Sequence, residues 1–364
     1  MNMVEWKECR LGDLVTFQRG HDLPKSKMSG KGYPVVGSNG IIGFHDEYTT
    51  EYPSITVGRS GNVGKPYIVY GKSWSHNTSL YIKRFKNIDP IFVYYFLQIL
   101  DLENYAGGSA VPTLNRNHIH ALEVRVPSDI SVQKKIANIL KILDDKILIS
   151  EKINKNLEQQ AQAIYQQMFI DNASSDSTEG TLSDIADITM GQSPSGSSYN
   201  EDGNGTIFFQ GRAEFGFRFP TVRLYTTEPK RMACANDTLM SVRAPVGDLN
   251  VAHTNCCIGR GLAAIHSKNN HQSFVLYTMF SLKKQLDVFN GEGTVFGSIN
   301  RNSLNEMPIL IPSSEKLDEF EALVAPMDAA IRNNYDEICR LEQLRDSLLP
   351  QLMSGELDVS DIDL

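Results

Sequence analysis

Residues 131–169, SVQKKIANILKILDDKILISEKINKNLEQQAQAIYQQMF, carry the pattern from which the rest of the chain is laid out. Ile136, Leu140, Leu143, Ile147, Leu157, Ala161, Ile164 and Met168 follow one another at steps of four and three, with Ser150 and Asn154 completing the series. That spacing keeps a narrow apolar stripe on one face of a helix, turned toward a partner helix. At about 1.5 Å per residue the segment makes a rod of roughly 60 Å, too long for an ordinary core helix. Its stripe has to be covered.

A shift of 184 residues supplies the cover: Phe320, Val324, Met327, Ile331, Asn334, Ile338, Leu341, Arg345, Leu348 and Leu352. Asp144 falls on Asp328, Leu157-Glu158 on Leu341-Glu342, and Gln167 on Gln351. Self-similarity at one offset is a repeat signal, weighed against two unrelated amphipathic helices. The expected pairing sets Ile136, Leu140, Leu143, Ile147, Leu157 and Ile164 against Val324, Met327, Ile331, Ile338, Leu341 and Leu348. Two positions break the pattern. Arg345 stands where an apolar residue is expected, with Leu344 as the substitute. Pro326 predicts a kink, or a short helix followed by a longer one.

The flanking segments repeat as well. Leu182 to Gly191 restates Leu11 to Gly20, and Ile299-Asn300-Arg301-Asn302 restates Leu114-Asn115-Arg116-Asn117. Val242 to Gly247 echoes Val57 to Gly64 with two residues fewer, which sets Arg243 opposite Arg59. Short β-branched runs at 33–36, 54–57, 67–70 and 79–82 read as strands, and Ile91 to Leu100 as an apolar helix. The middles, 25–46 against 195–226, hardly match. The resulting layout is a globular unit over 1–127, a helix over 128–171 capped by Ser128 or Ser131, and a polar linker over 172–181. A second globular unit over 182–312, a helix over 313–353 and a tail over 354–364 follow. Residues 107–112 read as a loop. The fold class is α+β, with an internal two-fold repeat in which each globular unit is followed by one long helix.

At 364 residues and a mean hydropathy of -0.27 the chain is long enough for two cored domains. No run of 18 apolar residues exists, and the polar start argues against a secretory signal. Five cysteines without a C-x-x-C spacing read as reduced cytosolic thiols. The net charge of -8 is unevenly placed. Residues 1–130 hold 14 basic against 12 acidic residues and 181–312 hold 11 against 11, while 313–364 hold 4 against 13. The acidity sits in the last helix and tail, which leaves room for basic patches on the domains.

Polar residues between glycines, as in Gly37-Ser38-Asn39-Gly40 and Gly58-Arg59-Ser60-Gly61-Asn62, bring donors close to phosphates or base edges. The same letters also make plain hairpin turns. Candidate DNA contacts are Arg19, Ser38, Asn39, Arg59, Ser60, Asn62, Lys65 and Asn77 in the first domain. Gln192, Gln210, Arg212, Arg243 and Arg260 are the candidates in the second. Arginine can fork onto guanine, and asparagine or glutamine can pair with adenine. The two Asn-Arg-Asn motifs either cap a helix and touch a phosphate, or cap it and ion-pair with a neighbouring module. His76-Asn77-Thr78 reads as a polar contact loop. There is no Walker A, no G-x-G-x-x-G after a strand, no methyltransferase tetrapeptide, no G-x-S-x-G and no H-E-x-x-H. No catalytic or metal-ligating set emerges.

Two divergent modules, each leaving through Leu/Ile-Asn-Arg-Asn and a Pro-Ser exit, alternate with two related long helices. Gln133-Lys134-Lys135-Ile136-Ala137-Asn138-Ile139-Leu140 looks like a Glu-Gln-x-x-Ile-Ala-x-x-Leu opening with Val132 for the acidic residue. Glu321 to Val324 keeps a looser form. Over essentially its whole length the chain resembles the specificity subunit of type I restriction-modification systems. The resemblance implies a non-catalytic cytoplasmic subunit: two mixed α/β target-recognition domains, over 1–127 and 182–312, separated by two long antiparallel coiled-coil helices. Each domain would read half of a bipartite double-stranded DNA site in the major groove. The helices would set the spacer and dock two methyltransferase subunits that use S-adenosylmethionine. Restriction subunits, with ATP and Mg, would join them, and no membrane is involved. The competing readings are a methyltransferase or nuclease with its own recognition module, and a coiled-coil scaffold that binds proteins only.

Overall fold

A computed structural model describes residues 4–108, 112–172, 177–291 and 297–359. Residues 109–111 of the expected loop, 173–176 of the expected linker and 360–364 of the expected tail lie outside the described residues. The chain divides into two units, Met1–Ile149 with Ile338–Leu364, and Ser150–Glu337. Each unit joins one α/β domain to a segment of both long helices.

In the first unit β1 (Trp6–Arg10) leads through α1 (Leu11–Leu14) into β2 (Val15–Arg19). The hairpin β3 (Tyr33–Gly37) and β4 (Gly40–His45) precedes β5 (Ser54–Gly58), β6 (Pro66–Val69), β7 (Trp74–Ser75) and β8 (Ser79–Phe85). An antiparallel sheet runs β2-β8-β5-β6, and a second runs β4-β3-β7 with β3 and β7 parallel. After α2 (Pro90–Gln98) come the two-residue strands β9 (Ala106–Gly107) and β10 (Thr113–Leu114), then α3 (Arg116–His120) and β11 (Glu123–Pro127). β11 returns to pair with β1. Asp89 caps α2 by accepting the Phe92 N–H, with Pro90 at the first helical position. Phe92 and Tyr95 of α2 share a core with Ile55 and Val57 of the sheet and with Ile136, Leu140, Leu349 and Leu352 of the long helices. Each such buried side chain contributes about 1.5–3 kcal/mol.

The second unit repeats the plan. β12 (Thr178–Thr181), α5 (Leu182–Ile185) and β13 (Ala186–Met190) open it. β14 (Tyr199–Asn200), β15 (Thr206–Phe209), β16 (Leu224–Thr226), β17 (Met232–Ala233), β18 (Thr238–Ser241), β19 (Leu249–Val251), β20 (Cys256–Ile258) and β21 (Leu262–Ser267) follow. The antiparallel sheet β13-β21-β18-β19 has the order of its counterpart, while the second sheet grows to five strands, β14-β16-β15-β20-β17. Its parallel pair β15·β20 matches β3·β7. α6 (Gln272–Ser281), α7 (Lys283–Asp287), α8 (Arg301–Asn305) and β22 (Pro308–Ile311) complete the domain. Thr178–Thr181, expected within a polar linker, is a strand because β22 supplies its hydrogen-bond partners across the whole domain. The core is aromatic where the domain meets the helices: the Phe169 ring lies 5.1 Å from Phe274 and 5.2 Å from Phe320.

The two long helices are α4 (Ile130–Tyr165) and α9 (Ser314–Ser354). Asp129 rather than Ser128 or Ser131 caps α4, accepting from Ser131 N at 2.7 Å and Ser131 Oγ at 2.6 Å. α9 is one helix through Pro326, not a short helix followed by a longer one. Pro326 and Ala322 are exposed, so the carbonyl that loses its helical donor faces water. Ile136, Leu140, Ile147, Val324, Ile331 and Ile338 are buried. Leu143, Leu157, Ile164, Met327, Leu341 and Leu348 are half-buried. Within the first unit Asp144 faces Arg345, and Ile136 shares a core with Leu352, so the segments run antiparallel. Within the second, Asn334 Nδ2 donates to the buried Asn154 Oδ1 at 2.8 Å, while Glu158 and Asp328 share one arginine, again antiparallel. Leu344 does not replace Arg345: it is 46% exposed, and Arg345 stays in the seam on Asp144 at 2.9 Å.

Candidate nucleic-acid interface

In the first unit the strand ends of both sheets bring four polar loops to one edge. Gly20 lets the turn after β2 press against the turn before β8, since a Cβ there would meet the His76 carbonyl oxygen at 2.0 Å. The loop after β5 is folded on itself, with a Cβ at Gly58 falling 1.8 Å from the Asn62 carbonyl oxygen and 3.5 Å from Ser38 Cβ. Ser38 N donates to Thr78 Oγ1 at 3.3 Å, and Arg59 N donates to the Thr78 carbonyl at 2.8 Å. Gly58 N donates to the Lys65 carbonyl at 3.0 Å, which closes the same loop. Arg19, Ser38, Asn39, Arg59, Ser60, Asn62, Lys65 and Asn77 all lie on these joined loops. Asn39 forms the hairpin tip, where Gly40 at φ +84° rests on the Tyr67 ring.

Their side chains are not equally available. Arg19 pairs with Asp22 at 2.9 Å, and Asn77 donates to the same carboxylate. That Asn77 hydrogen bond, followed by Arg19, holds the Asp22 carboxyl below its usual range. Sequence reasoning passed over Asp22, since an acid is not sought among anion contacts. His76 is fixed by Thr78 Oγ1 at 3.0 Å and the Leu23 carbonyl at 3.2 Å, so it shapes the loop rather than reaching out. Among the described residues the side chains of Arg59 and Lys65 form no ion pair or hydrogen bond.

The second unit joins its loops through the same bonds. Gly191 N donates to Leu262 O and Gln192 N to Ile258 O, as Gly20 N does to Ser79 O and His21 N to Ser75 O. A Cβ at Gly191 would lie 2.2 Å from Gly259 O. Gly261 N donates to Gln210 O at 3.2 Å, and Arg260 N to Ser193 Oγ at 3.2 Å. Gln192, Gln210, Arg243 and Arg260 are exposed on this edge. The side chains of Arg243 and Arg260 form no ion pair or hydrogen bond among the described residues. Arg212 is held in an ion pair with Asp248, which Lys283 also reaches at 3.4 Å.

The backbone bonds also correct one equivalence. Arg59 N donates to Thr78 O, and Val242 N donates to Gly261 O. Leu114 N donates to Arg59 O, and Ile299 N donates to Val242 O. Gly58 N meets Lys65 O, and Ser241 N meets Asp248 O. The two loops are therefore of equal length, and Arg59 corresponds to Val242, not to Arg243. Arg243 takes the place of Ser60, as the bridges Arg243–Ser298 and Ser60–Thr113 show. In extended backbone a one-residue slip turns a side chain to the opposite face. Val242 is accordingly buried at 4% exposure, while Arg243 is exposed. Lys65 corresponds to Asp248, and Asn77 to Arg260.

Both Asn-Arg-Asn motifs cap. Asn115 Oδ1 accepts from Asn117 N, and Asn300 Oδ1 from Ser303 N, each at 2.9 Å. No group of three or more His, Cys, Asp or Glu that could hold a metal occurs among the described residues. No helix among them is long and apolar enough to cross a membrane.

A duplicated frame that presents unlike polar loops at the same edge defines a class: a paired recognition protein. The profile of the type I restriction modification DNA specificity domain matches residues 3–159 and again 174–332. The "Putative type I restriction enzyme MjaX specificity subunit" of Methanocaldococcus jannaschii is 31% identical over 98% of this chain and 94% of its own. The type I restriction enzyme MjaIX specificity subunit of the same organism is 24% identical over 76% of this chain and 73% of its own. The crystal structure of a type I restriction-modification S subunit from M. genitalium superposes with a TM-score of 0.69 at 18% identity, over 97% of both chains. The chain belongs to the type I restriction-modification DNA specificity family. It is the non-catalytic, DNA-specifying subunit, and catalysis lies in partner subunits.

Proposed function

We propose that each domain reads one half of a bipartite site in double-stranded DNA through the joined loops at its sheet edge. The observation that carries this reading is the pair of equivalent edges, alike in backbone bonding and unlike in side chains. Arg59, Lys65, Arg243 and Arg260, which have no partner of their own among the described residues, are the primary contacts. Ser38, Asn39, Ser60, Asn62, Gln192 and Gln210 offer short donors and acceptors to base edges. Arg19, Asn77 and Arg212 are secondary, since an acid already engages each. The seam residues from Ile136 to Ile164 and from Val324 to Leu348 pair the helices, and the helices set the distance between half-sites.

The domain boundaries at 127/128 and 312/313 delimit the readers, the second beginning with β12 at Thr178 rather than after residue 181, with residues 128–171 and 313–353 as spacer helices. Two methyltransferase subunits bringing S-adenosylmethionine, and restriction subunits bringing ATP and Mg, assemble on this subunit in the cytoplasm. Mapping methylated adenines genome-wide in cells with and without the gene tests the reading. It expects one bipartite motif to lose methylation when the gene is absent; an unchanged map overturns it.

A further inference from the structure

Arg116 and Arg301 are not among the residues assigned above, yet they occupy the same place in both units. Each is exposed, and neither side chain forms an ion pair or hydrogen bond among the described residues. The segment before each arginine is tied to the interface loop by two backbone links. Leu114 N donates to Arg59 O at 2.8 Å beside the Ser60–Thr113 bridge, and Ile299 N donates to Val242 O at 3.1 Å beside the Arg243–Ser298 bridge. Two residues further on, the chain turns into a five-residue helix, with the asparagine side chain capping and the arginine first. From the other end, Ile119 and Leu304 bury at 0% exposure and anchor the helix in the core. The arginine is therefore held at the loop end of a rigid strap. A helix this short adds little field of its own, and the guanidinium carries the argument.

The comparison between units points to the ligand. Where the edges read, their letters differ: Ser60 stands against Arg243, Lys65 against Asp248 and Asn77 against Arg260. At the strap they agree, side chain and backbone alike. DNA has one component that is the same in every sequence, its phosphates, and contacts to them position a protein without reading bases. We propose that Arg116 and Arg301 are matched phosphate contacts, one per domain, which set the register of each domain on the duplex while the differing loops read bases. The proposal rests on the DNA-reading function above.

The test uses the assembled complex of this chain with its methyltransferase partners. Binding is titrated across salt concentrations on the cognate duplex and on duplexes altered in either half-site. Arg116→Ala and Arg301→Ala should each weaken all duplexes alike, on the order of fivefold, and lower the slope of log affinity against log salt by about one. The double variant should lower the slope by about two, with the ratio of cognate to altered duplex unchanged. Arg116→Lys and Arg301→Lys should keep the slope. Unchanged affinity and slope in the alanine variants would overturn the phosphate role, as would a loss confined to one base position. Failure of the unsubstituted complex to prefer any duplex would instead overturn the proposed function.

Discussion

The two units hold their domains to the long helices with the same bond and different cations. Tyr95 donates to Asp144 at 2.7 Å, and Tyr277 donates to Asp328 at 2.9 Å, each tyrosine on the helix after the four-stranded sheet. In both cases burial, with the aspartate second or later, raises the phenol above its usual range. The countercharge for Asp144 is Arg345, a half-exposed residue of α9 itself. For Asp328 it is Arg218, which comes from the domain, is 4% exposed and also reaches Glu158 at 3.1 Å. Burial and the neighbouring Asp328 outweigh Arg218 at Glu158 and push its carboxyl up. The first unit thus takes its cation from the helix pair, and the second from its domain, in the segment between β15 and β16. Shared geometry tolerates different chemistry where the charge merely has to be neutralised.

That difference predicts unequal damage. Arg218→Met leaves two acids facing each other in a buried site and should destabilise the second unit by about 3–5 kcal/mol. Arg345→Met, at a solvated site, should cost the first unit about 1 kcal/mol or less. Hydrogen exchange resolved by unit separates the two; equal losses would show that burial of the cation does not matter.

The reading edges give the next largest contrast. Arg59→Ala should cost about 1–3 kcal/mol of binding and relax one position of one half-site, and Arg243→Ala should do so in the other half-site. Val242→Ala, at the place of Arg59 but buried, should lower stability without changing which bases are preferred. Competition binding on singly substituted duplexes checks all three. A specificity change from Val242→Ala would show that this buried position itself governs base preference.

A smaller effect belongs to the first unit alone. His120 Nε2 accepts the Phe17 N–H at 2.9 Å, which requires the neutral ring there. Burial, then Arg116 and Lys86, lowers its pKa from 6.5. The unfolded chain therefore binds the proton more readily, and the stabilisation, complete above pH 6.5, is lost as pH falls from there through the lowered pKa of the folded state. Asn305, at the same place in the second unit, does not titrate. Thermal unfolding between pH 7.5 and 5.5 should show a small acid loss that His120→Asn removes; an equal loss in that variant places the titration elsewhere.

How much of this was legible in the letters follows from where the forces act. The stripe from Ile136 to Met168 and its echo from Phe320 to Leu352 declare themselves because helix periodicity is local. The Asn-Arg-Asn caps are local too. The register of Arg59 and Arg243 was misread because Leu114 and Ile299 fix it from more than 50 residues away, and an arginine aligned with an arginine looks persuasive. Thr178–Thr181 looked like linker because its partner β22 lies beyond a whole domain. Arg218 gave no signal at all, since nothing in its neighbours announces a buried cation.

The central claim is that the units are separate readers on a common frame, and a graft tests it most directly. Residues 14–126 are replaced by the corresponding stretch of a relative with a different target, and adenine methylation is mapped across the genome. The account predicts a hybrid motif, with one half-site exchanged and the other half-site and the gap retained. A change in both half-sites, or in neither with methylation intact, would contradict it.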